Sequence, residues 1–242
     1  KVLMLSTDSN ILKEGSAVRE RMIWYGQAAE ELHIVVPAVG GERGKIAISG
    51  NTFVYPTASR SKLLSRFDIW RTGRNISADI VTAQDPFETG FVAWLIAKNT
   101  GGKLELQIHT DFLSPYFSRE SFLNKIRVVL ARFLLPKADG IRVVSHRILD
   151  SLKAKSYKLK TAPFVLSVFA DIEKIIKETP TVDLHKKYPQ FDFIILMASR
   201  LTREKNIGLA IRAMSDVVRN HPKAGLVIVG NGPEEHNLKL KI

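Results

Sequence analysis

Short apolar runs alternate along most of the chain with longer segments whose apolar residues recur at helical spacing. The runs have the length of strands and lie at residues 1–5, 32–37, 79–83, 104–109, 140–144 and 162–168. The segments between them that predict helices lie at residues 16–32, 85–99, 118–135 and 145–155. Strands that alternate with helices favour a mainly parallel sheet with helices on both faces. The first part of the chain is therefore predicted to be α/β.

Three local signals refine this pattern. Gly50-Asn51 separates two short strand-like runs and predicts a hairpin. Asp85 is predicted as an N-cap, with Pro86 in the first turn and Glu88 completing the cap. Residues 118–135 are predicted to form one long amphipathic helix. Its apolar side would contain Phe122, Ile126, Val129, Leu130 and Phe133.

The last fifty residues carry the most specific pattern. An apolar strand at residues 191–197 ends at Ser199-Arg200, and Lys205 is predicted to open the following helix. A second strand then runs into the turn Gly230-Asn231-Gly232-Pro233. A strand, a cationic turn, a helix, a strand and a glycine turn are typical of an open α/β sheet that binds a phosphorylated ligand.

This pattern predicts two domains with different extents. Residues 1–170 form the first domain, residues 171–190 are a polar, proline-punctuated connection, and residues 191–242 begin a second domain. Because a doubly wound half needs several strand and helix units, we expect the second domain to be incomplete. The predicted fold is α/β with two Rossmann-like parallel-sheet domains.

The charge of the chain limits the partners to consider. Its 242 residues carry a formal charge of +12, which suits nucleic acid, anionic lipid or a phosphorylated small molecule. There are no cysteines, so disulfides, thiolate metal sites and cysteine nucleophiles are excluded. No apolar run approaches the roughly 20 residues that cross a bilayer. The first residues favour a buried strand over a leader, and a cytoplasmic location is the default expectation.

Candidate binding residues follow the predicted strands, because ligands of parallel sheets bind at the carboxyl ends of strands. Gly15 precedes the first helix and would let backbone N–H groups approach a phosphate; the alternative is a simple turn glycine. His109 ends a strand and could bind a sugar hydroxyl or carry a proton; the alternative is a core histidine.

Arg200 and Lys205 are the strongest pair of candidates. Arginine can bind a phosphate with two hydrogen bonds and lysine can act as a point charge, whereas the alternative is a pair of surface cations. No cluster of His, Asp and Glu has metal-ligand spacing, and no Asp-x-Asp pair occurs, so we expect a metal-independent reaction. The basic helix predicted at residues 118–135 either packs on the sheet or contacts anionic lipid.

These motifs resemble the GT-B glycosyltransferases of family 4, the group 1 type. SRLTREKNIGLAIRAM and LVIVGNGPE are similar to the donor-side motifs, GSAVRERM to the glycine-loop helix, and IHTDFLSPYF to the histidine loop facing the acceptor. The resemblance implies a hexosyltransferase that moves a sugar from a UDP- or GDP-type donor to a glycan or lipid-linked acceptor, with retention and without a further cofactor. The expected location is cytoplasmic, and it is at the inner face of the membrane if the basic helix at residues 118–135 contacts lipid.

The resemblance assigns a role to each candidate residue. Arg200 and Lys205 would bind the donor diphosphate and stabilise its charge during transfer, and His109 would contact the transferred sugar. Gly15 would let the first helix face the diphosphate, while Gly230 and Gly232 would shape the donor wall. This chain has Glu14-Gly15 where the family has paired glycines. The glutamate pair of the family lies beyond Ile242, so this polypeptide is expected to be inactive alone.

Two other functions stay open. A sugar-nucleotide epimerase has the same two-domain fold and would use carboxylates for acid–base work. A basic nucleic-acid-binding module would need aromatic residues interleaved with the cations or a recognition helix. Neither feature has convincing spacing here, so no nucleic acid partner is expected.

Overall fold

A mainly parallel sheet organises unit 1, Lys1–Phe169, the first of two units into which the chain divides; unit 2 is Ala170–Ile242. The computed structural model describes residues 1–40, 43–61, 64–155, 157–169 and 172–240. The strands of unit 1 are β1 (Val2–Leu5), β2 (Leu32–Val36), β3 (Ile46–Ala47), β4 (Thr52–Pro56), β5 (Ile80–Ala83), β6 (Lys103–Ile108), β7 (Gly140–Val143) and β8 (Phe164–Val165). The predicted α/β class is confirmed.

The strands lie in the order β3-β4-β2-β1-β5-β6-β7-β8. β3 pairs antiparallel with β4 across the predicted hairpin, and the other neighbours pair in parallel. Leu3 and Leu5 of β1 are fully buried, which places this strand at the centre of the unit. Parallel strands of this kind need helical crossovers, and the intervening segments supply them.

The helices of unit 1 cover the two faces of the sheet unequally. They are α1 (Ala17–Gly26), α2 (Ser65–Gly73), α3 (Glu88–Thr100), α4 (Pro115–Glu120), α5 (Phe122–Leu134) and α6 (His146–Lys153). The larger core cluster joins one face to α2, α3, α5 and α6, whereas the smaller cluster joins the other face to α1 through Met22. The prediction of helices on both faces is therefore confirmed, with most of the apolar burial on one of them.

Two predicted helix boundaries are wrong. The first helix ends at Gly26, not at Leu32, where the side chain amide of Asn51 donates to the backbone oxygens of Gly26 and Ala29. Asp85 does not cap α3; its Oδ1 accepts a hydrogen bond from the backbone N–H of Phe87, one residue before the helix starts. Glu88 pairs with Arg127 at 3.0 Å instead of reaching back. A contact distant in sequence therefore marks the end of α1, whereas both a local hydrogen bond and the distant pairing with Arg127 replace the predicted cap of α3.

The predicted single helix at residues 118–135 is two helices. Ser121 is extended between α4 and α5, with φ −158° and ψ 158°, and its Oγ accepts a hydrogen bond from the N–H of Asn124. The face that α5 buries contains Val128, Ala131 and Leu134, whereas Phe122 is 76% exposed. The predicted apolar side of this segment is therefore directed to solvent.

Unit 2 contains one strand–helix–strand unit preceded by two short helices. Its elements are α7 (Ile172–Lys177), α8 (Leu184–Lys187), β9 (Phe193–Ala198), α9 (Ile207–Asn220), β10 (Ala224–Val229) and α10 (Glu235–Lys239). β9 and β10 pair in parallel, with Phe193 opposite Ala224 and Ala198 opposite Val229. None of the helices in the described ranges is both long enough and apolar enough to cross a bilayer.

An aromatic contact joins Phe169, the last residue of unit 1, to α1. The indole of Trp24, near the end of α1, stacks on the ring of Phe169 with centroids 5.4 Å apart and planes inclined by 23°. Both side chains are more than half exposed. The last residue of unit 1 is therefore attached to α1 by one surface contact.

The cap at Ser121 can be tested by substitution. Ser121→Ala removes the hydrogen bond to Asn124, and we expect the free energy of unfolding of unit 1 to fall by about 1 kcal/mol. Urea unfolding followed by tryptophan fluorescence measures this, because Trp24, Trp70 and Trp94 all lie in unit 1.

Ser118→Ala is the matched control, since Ser118 lies inside α4 and its hydroxyl donates only to the backbone oxygen of Pro115. A smaller loss is expected for it. An increase in stability or in helical circular dichroism for Ser121→Ala would contradict the break at this position.

Candidate functional site

The carboxyl ends of three neighbouring strands in unit 1 carry polar side chains. Ser6 follows β1, Gln84 follows β5 and His109 follows β6. The hydroxyl of Ser6 is buried and donates to Oε1 of Gln84 at 2.9 Å. Because β1, β5 and β6 are consecutive in the sheet and parallel, these residues lie along one edge.

His109 is held from the strand that precedes it. Its Nε2 lies 3.3 Å from Oε1 of Gln107, and Nη1 of Arg142 donates to the same oxygen at 3.3 Å. The amide nitrogen of Gln107 donates to Thr82, which fixes Oε1 as the acceptor. A neutral His109 therefore donates through Nε2 and leaves Nδ1 as an acceptor for a ligand.

The surroundings of His109 favour its neutral form. Partial burial lowers the pKa of the imidazole below its ordinary value, and the positive charges of Arg142 and Arg21 lower this pKa further, while Asp85 opposes them. Burial and a neighbouring cation both disfavour the imidazolium. At neutral pH this side chain can accept a proton or a hydrogen bond at Nδ1.

Gly15 lies in an exposed turn before α1. Its φ is +69°, and no heavy atom lies within 4 Å of the position that a Cβ would occupy. Ser16 then caps the helix by accepting a hydrogen bond from the N–H of Arg19. The turn requires glycine for its backbone conformation rather than for close packing. The open space above Gly15 is compatible with both interpretations given above, a ligand contact and a simple turn.

In unit 2 the turns that follow β9 and β10 pack directly on each other. The N–H of Leu201 donates to the backbone oxygen of Asn231 at 2.8 Å, and the N–H of Glu234 donates to that of Leu201 at 3.0 Å. A Cβ at Gly230 would lie 1.9 Å from the backbone oxygen of Ser199, and one at Gly232 would lie 2.4 Å from that of Leu201. These glycines are required because two backbones meet without space for a side chain.

The cationic turn after β9 contains Arg200 and Lys205. Arg200 is exposed, and its Nη2 donates to Oε1 of Glu204 at 3.0 Å. No hydrogen bond or ion pair to another described residue engages the side chain of Lys205, which is also exposed. Arg203 adds a third cation to this turn and lies 3.5 Å from Glu234.

The predicted position of Lys205 at the start of a helix is wrong. Lys205 ends a 3-10 turn, Arg203–Lys205, and α9 begins at Ile207. Asn206 between them has φ +46° and ψ 40°, a left-handed conformation that asparagine tolerates better than most residues. The 3-10 turn therefore cannot continue into the helix.

The structure groups the candidates by unit. Arg200, Lys205, Gly230 and Gly232 lie together in the paired turns of unit 2, while Gly15 and His109 belong to unit 1. The sequence analysis missed Glu204, which competes for Arg200, and the Gln107–Arg142 pair that holds His109. The i, i+4 spacing of Arg200 and Glu204 is a signal that could have revealed the first. The second is a contact between strands and has no local signal.

A further polar atom in the cationic turn was not anticipated. Oγ1 of Thr202 is buried and has no hydrogen-bond partner among the described residues. A buried hydroxyl without a partner is uncommon in folded proteins. As for metals, no group of three or more His, Asp or Glu residues in the part of the chain that the structure describes could hold an ion.

Comparison with known proteins connects these turns to a family. Residues 183–242 match the family Glycosyl transferases group 1. The α-monoglucosyldiacylglycerol synthase of Streptococcus pneumoniae is 28% identical over 170 residues, which is 66% of this chain and 38% of that protein. The chain thus spans little more than a third of the length of this curated relative.

Solved structures share the fold. A trehalose-6-phosphate synthase, described as an enzyme of glycosyl transfer with retention, aligns with 99% of this chain and 68% of its own at a TM-score of 0.62 and 11% identity. A putative UDP-N-acetylglucosamine 2-epimerase from Listeria monocytogenes aligns with 94% of this chain and 61% of its own at a TM-score of 0.56 and 14% identity.

These two likenesses support the α/β fold, and the family match covers the β9–α9–β10 segment. The predicted resemblance to GT-B glycosyltransferases of group 1 is thereby confirmed, and residues 183–242 carry it.

Proposed function

We propose that this chain belongs to a glycosyltransferase that moves a hexose from a UDP- or GDP-sugar to an acceptor. The observation that carries the proposal is the pair of turns in unit 2, where Arg200 and Lys205 lie beside a glycine turn within the region that matches the family. Exposed cations beside a turn whose backbone is held in place are suited to a diphosphate. The relatives are longer than this chain, so the activity is proposed for the whole protein.

The charges of this turn fit the chemistry of transfer. As the glycosidic bond to the donor breaks, negative charge develops on the leaving phosphate, and Arg200 and Lys205 would stabilise it. Arg200 is paired with Glu204 at 3.0 Å, so a diphosphate would have to compete with that carboxylate. In this proposal the leaving phosphate accepts the proton of the acceptor on the same face of the sugar, which gives retention. Side chains supply the positive charge, and activity that survives chelation is therefore expected.

His109 would contact the transferred sugar. Its Nδ1 is an acceptor when Nε2 donates to Gln107, and a neutral imidazole suits a sugar hydroxyl better than a charged one. Gly15 would allow the approach of the donor to α1, and Gly230 and Gly232 would form the wall beside it.

A lipid-linked acceptor at a membrane surface is the more specific proposal. The relative from Streptococcus pneumoniae is named for a glucosylated diacylglycerol. In the chain described here, α4 and α5 expose Tyr116, Phe122, Ile126, Val129 and Phe133. Arg119, Lys125 and Arg132 are exposed on the same two helices. An exposed apolar face with flanking cations suits an anionic bilayer, where each cation contributes about 1 kcal/mol.

An epimerase acting on a sugar nucleotide is the second candidate, because a putative enzyme of that class shares the fold. It would also bind the donor but would release a free epimer or sugar without an acceptor. Product analysis of the whole protein without and with an acceptor distinguishes the two reactions.

The donor site can be tested by thermal shift with UDP- and GDP-sugars. A ligand at 100 times its Kd stabilises the native state by about 2.7 kcal/mol, so a measurable rise in Tm is expected. Arg200→Ala should weaken this binding by about tenfold or more, because a charge-assisted hydrogen bond contributes about 1.5–3 kcal/mol.

Arg219→Ala is the matched control, because Arg219 is an exposed arginine of α9 that is paired with Asp216 and lies outside the turn. It should leave the shift unchanged. The proposed donor site would be contradicted if no nucleotide sugar raised Tm. It would also be contradicted if Arg200→Ala left the rise in Tm unchanged.

The ionisation of His109 gives a second test. Because its pKa is lowered on folding, the unfolded chain takes up a proton near pH 6.5 while the folded chain does not. Stability should therefore fall as the pH falls from about 6.5 towards the folded pKa, and less so for His109→Asn.

Arg21→Gln should raise the pKa of His109, measured by proton NMR of the imidazole, because one of the positive charges that lower it is removed. Arg19→Gln on the same helix is the control, since Arg19 faces Glu14 at 3.9 Å. An equal effect of both substitutions would contradict the local arrangement.

The apolar face of α4 and α5 can be tested with vesicles. Phe122→Ser combined with Val129→Ser should reduce co-sedimentation with vesicles that contain anionic phospholipid, because the two side chains are 76% and 66% exposed. Leu209→Ser, which alters an exposed leucine of α9, should have little effect. Equal losses in both proteins, or none, would contradict membrane contact through this face.

A further inference from the structure

A second basic site lies in unit 1 and shares no residue with the sites described above. A pocket of about 520 Å³ opens between the chain that follows β4 and one side of α2. Its charged lining consists of Arg43, Arg60, Arg71 and Asp68. None of these residues has a role in the proposed transfer reaction.

The charges in this pocket are unbalanced. Arg43 donates through Nη2 to Oδ1 of Asp68 at 3.0 Å and through Nε to the backbone oxygen of Thr57 at 3.0 Å. Asp68 is buried, and Arg43 neutralises it. The side chains of Arg60 and Arg71 make no hydrogen bond or ion pair with any residue that the structure describes, and both residues are exposed. Among the described residues, these two guanidinium groups therefore have no counter-charge.

Hydrogen bonds hold the backbone of the wall that carries Arg60. Thr57 and Ser59 are buried, and the hydroxyl of Ser59 donates to that of Thr57 at 2.9 Å. The N–H of Ser59 donates to the backbone oxygen of Ala38 at 2.7 Å. Between them Ala58 has φ +46°, a left-handed conformation that costs a residue with a Cβ about 1 kcal/mol or more. The surrounding hydrogen bonds maintain this strained residue at the pocket, and strained residues of this kind cluster at ligand sites.

The opposite wall presents apolar surface beside the second arginine. Leu64 precedes α2 and Phe67 lies in its first turn, and both line the pocket while remaining 49% and 58% exposed. Arg71 lies one helical turn after Phe67, on the same side of α2. The pocket thus combines two cations that have no partner among the described residues with exposed apolar side chains. Neither an inorganic ion nor a purely apolar ligand would match both features.

We propose that this pocket binds the phosphate group of a phosphate ester whose organic part is apolar. Two guanidinium groups match the charge of a dianionic phosphate, and each can form two hydrogen bonds to its oxygens. Leu64 and Phe67 contact the apolar part of the ester. The assignment does not depend on the proposed transfer reaction, because it needs neither the turns of unit 2 nor a nucleotide sugar.

Isothermal titration calorimetry of the full chain with inorganic phosphate and with octyl phosphate tests the site. Octyl phosphate should bind more tightly, and Arg60→Gln and Arg71→Gln should each weaken both ligands by about tenfold, as expected for loss of a charge-assisted contact. Phe67→Ser should weaken octyl phosphate alone. Because Arg60 and Arg71 are exposed, their substitutions should leave the unfolding midpoint seen by tryptophan fluorescence unchanged. Phe67→Ser also removes a ring contact with Trp70 at 5.6 Å, so its binding is compared at a temperature where both proteins are fully folded.

Two controls keep the outcome specific. Arg74→Gln removes the same charge beside the end of α2, where Arg74 lies 4.5 Å from the ring of Trp70 outside the pocket, and should leave both affinities intact. Arg200→Ala should also leave them intact. An equal loss of affinity in Arg74→Gln would indicate a non-specific effect of charge, and a loss of affinity confined to Arg200→Ala would place the phosphate in unit 2. Either result overturns the proposal. Equal affinities for inorganic phosphate and octyl phosphate overturn it as well.

The source of the ester is distinguished with vesicles that contain phosphatidic acid. If Arg60→Gln and Arg71→Gln weaken vesicle binding together with octyl phosphate binding, the natural ligand is a lipid headgroup. If they weaken the binding of octyl phosphate but leave vesicle binding unchanged, the natural ligand is a soluble phosphate ester. Both outcomes support the site, and unchanged binding of all three probes contradicts it.

Discussion

The parallel pairing of β1 with both β2 and β5 is the constraint on which the rest of unit 1 depends. It fixes the direction of the neighbouring strands, so every crossover must return along a face of the sheet. The same direction brings the residues after β1, β5 and β6 to one edge. The apolar residues of α2, α3, α5 and α6 pack against the strands themselves, so the edge is left to polar side chains such as Ser6, Gln84 and His109.

Parallel pairing also organises unit 2, where the described sheet has two strands, β9 and β10. β9 and β10 stay paired beyond their last strand residues, since the backbone of Leu201 bonds to both Asn231 and Glu234. Only glycine at 230 and 232 permits this approach. The result is a turn whose backbone is fixed and whose cations are exposed, so an anion could be bound there, as proposed, without first ordering a loop.

Local signals in the sequence predicted the strands and the class of fold, because buried parallel strands are continuous apolar runs. They were less successful at helix ends. Gly26 ends α1 because Asn51 satisfies its backbone oxygen, and Ser121 divides a continuous helical pattern by capping the second half. For the candidate site, residue types at strand ends suggested His109 and Arg200, whose roles stay predictions. Their partners Gln107, Arg142 and Glu204 depend on side-chain geometry, which the sequence does not reveal. A pocket such as that between Arg60 and Arg71 joins segments whose spacing has no periodic signature.

The stack of Trp24 on Phe169 has a mechanical consequence. An aromatic pair of this kind adds about 0.5–1.5 kcal/mol beyond its buried area, far less than the core that holds β1 in place. A pull on the chain beyond Phe169 would therefore separate the two rings long before it unfolded the sheet. Until they separate, part of the force passes into α1 through Trp24 and part passes into β7, because Arg142 donates to the backbone oxygen of Ser167 at 3.2 Å. The stack would thus be the first contact of this part of unit 1 to open when the chain beyond Phe169 is pulled.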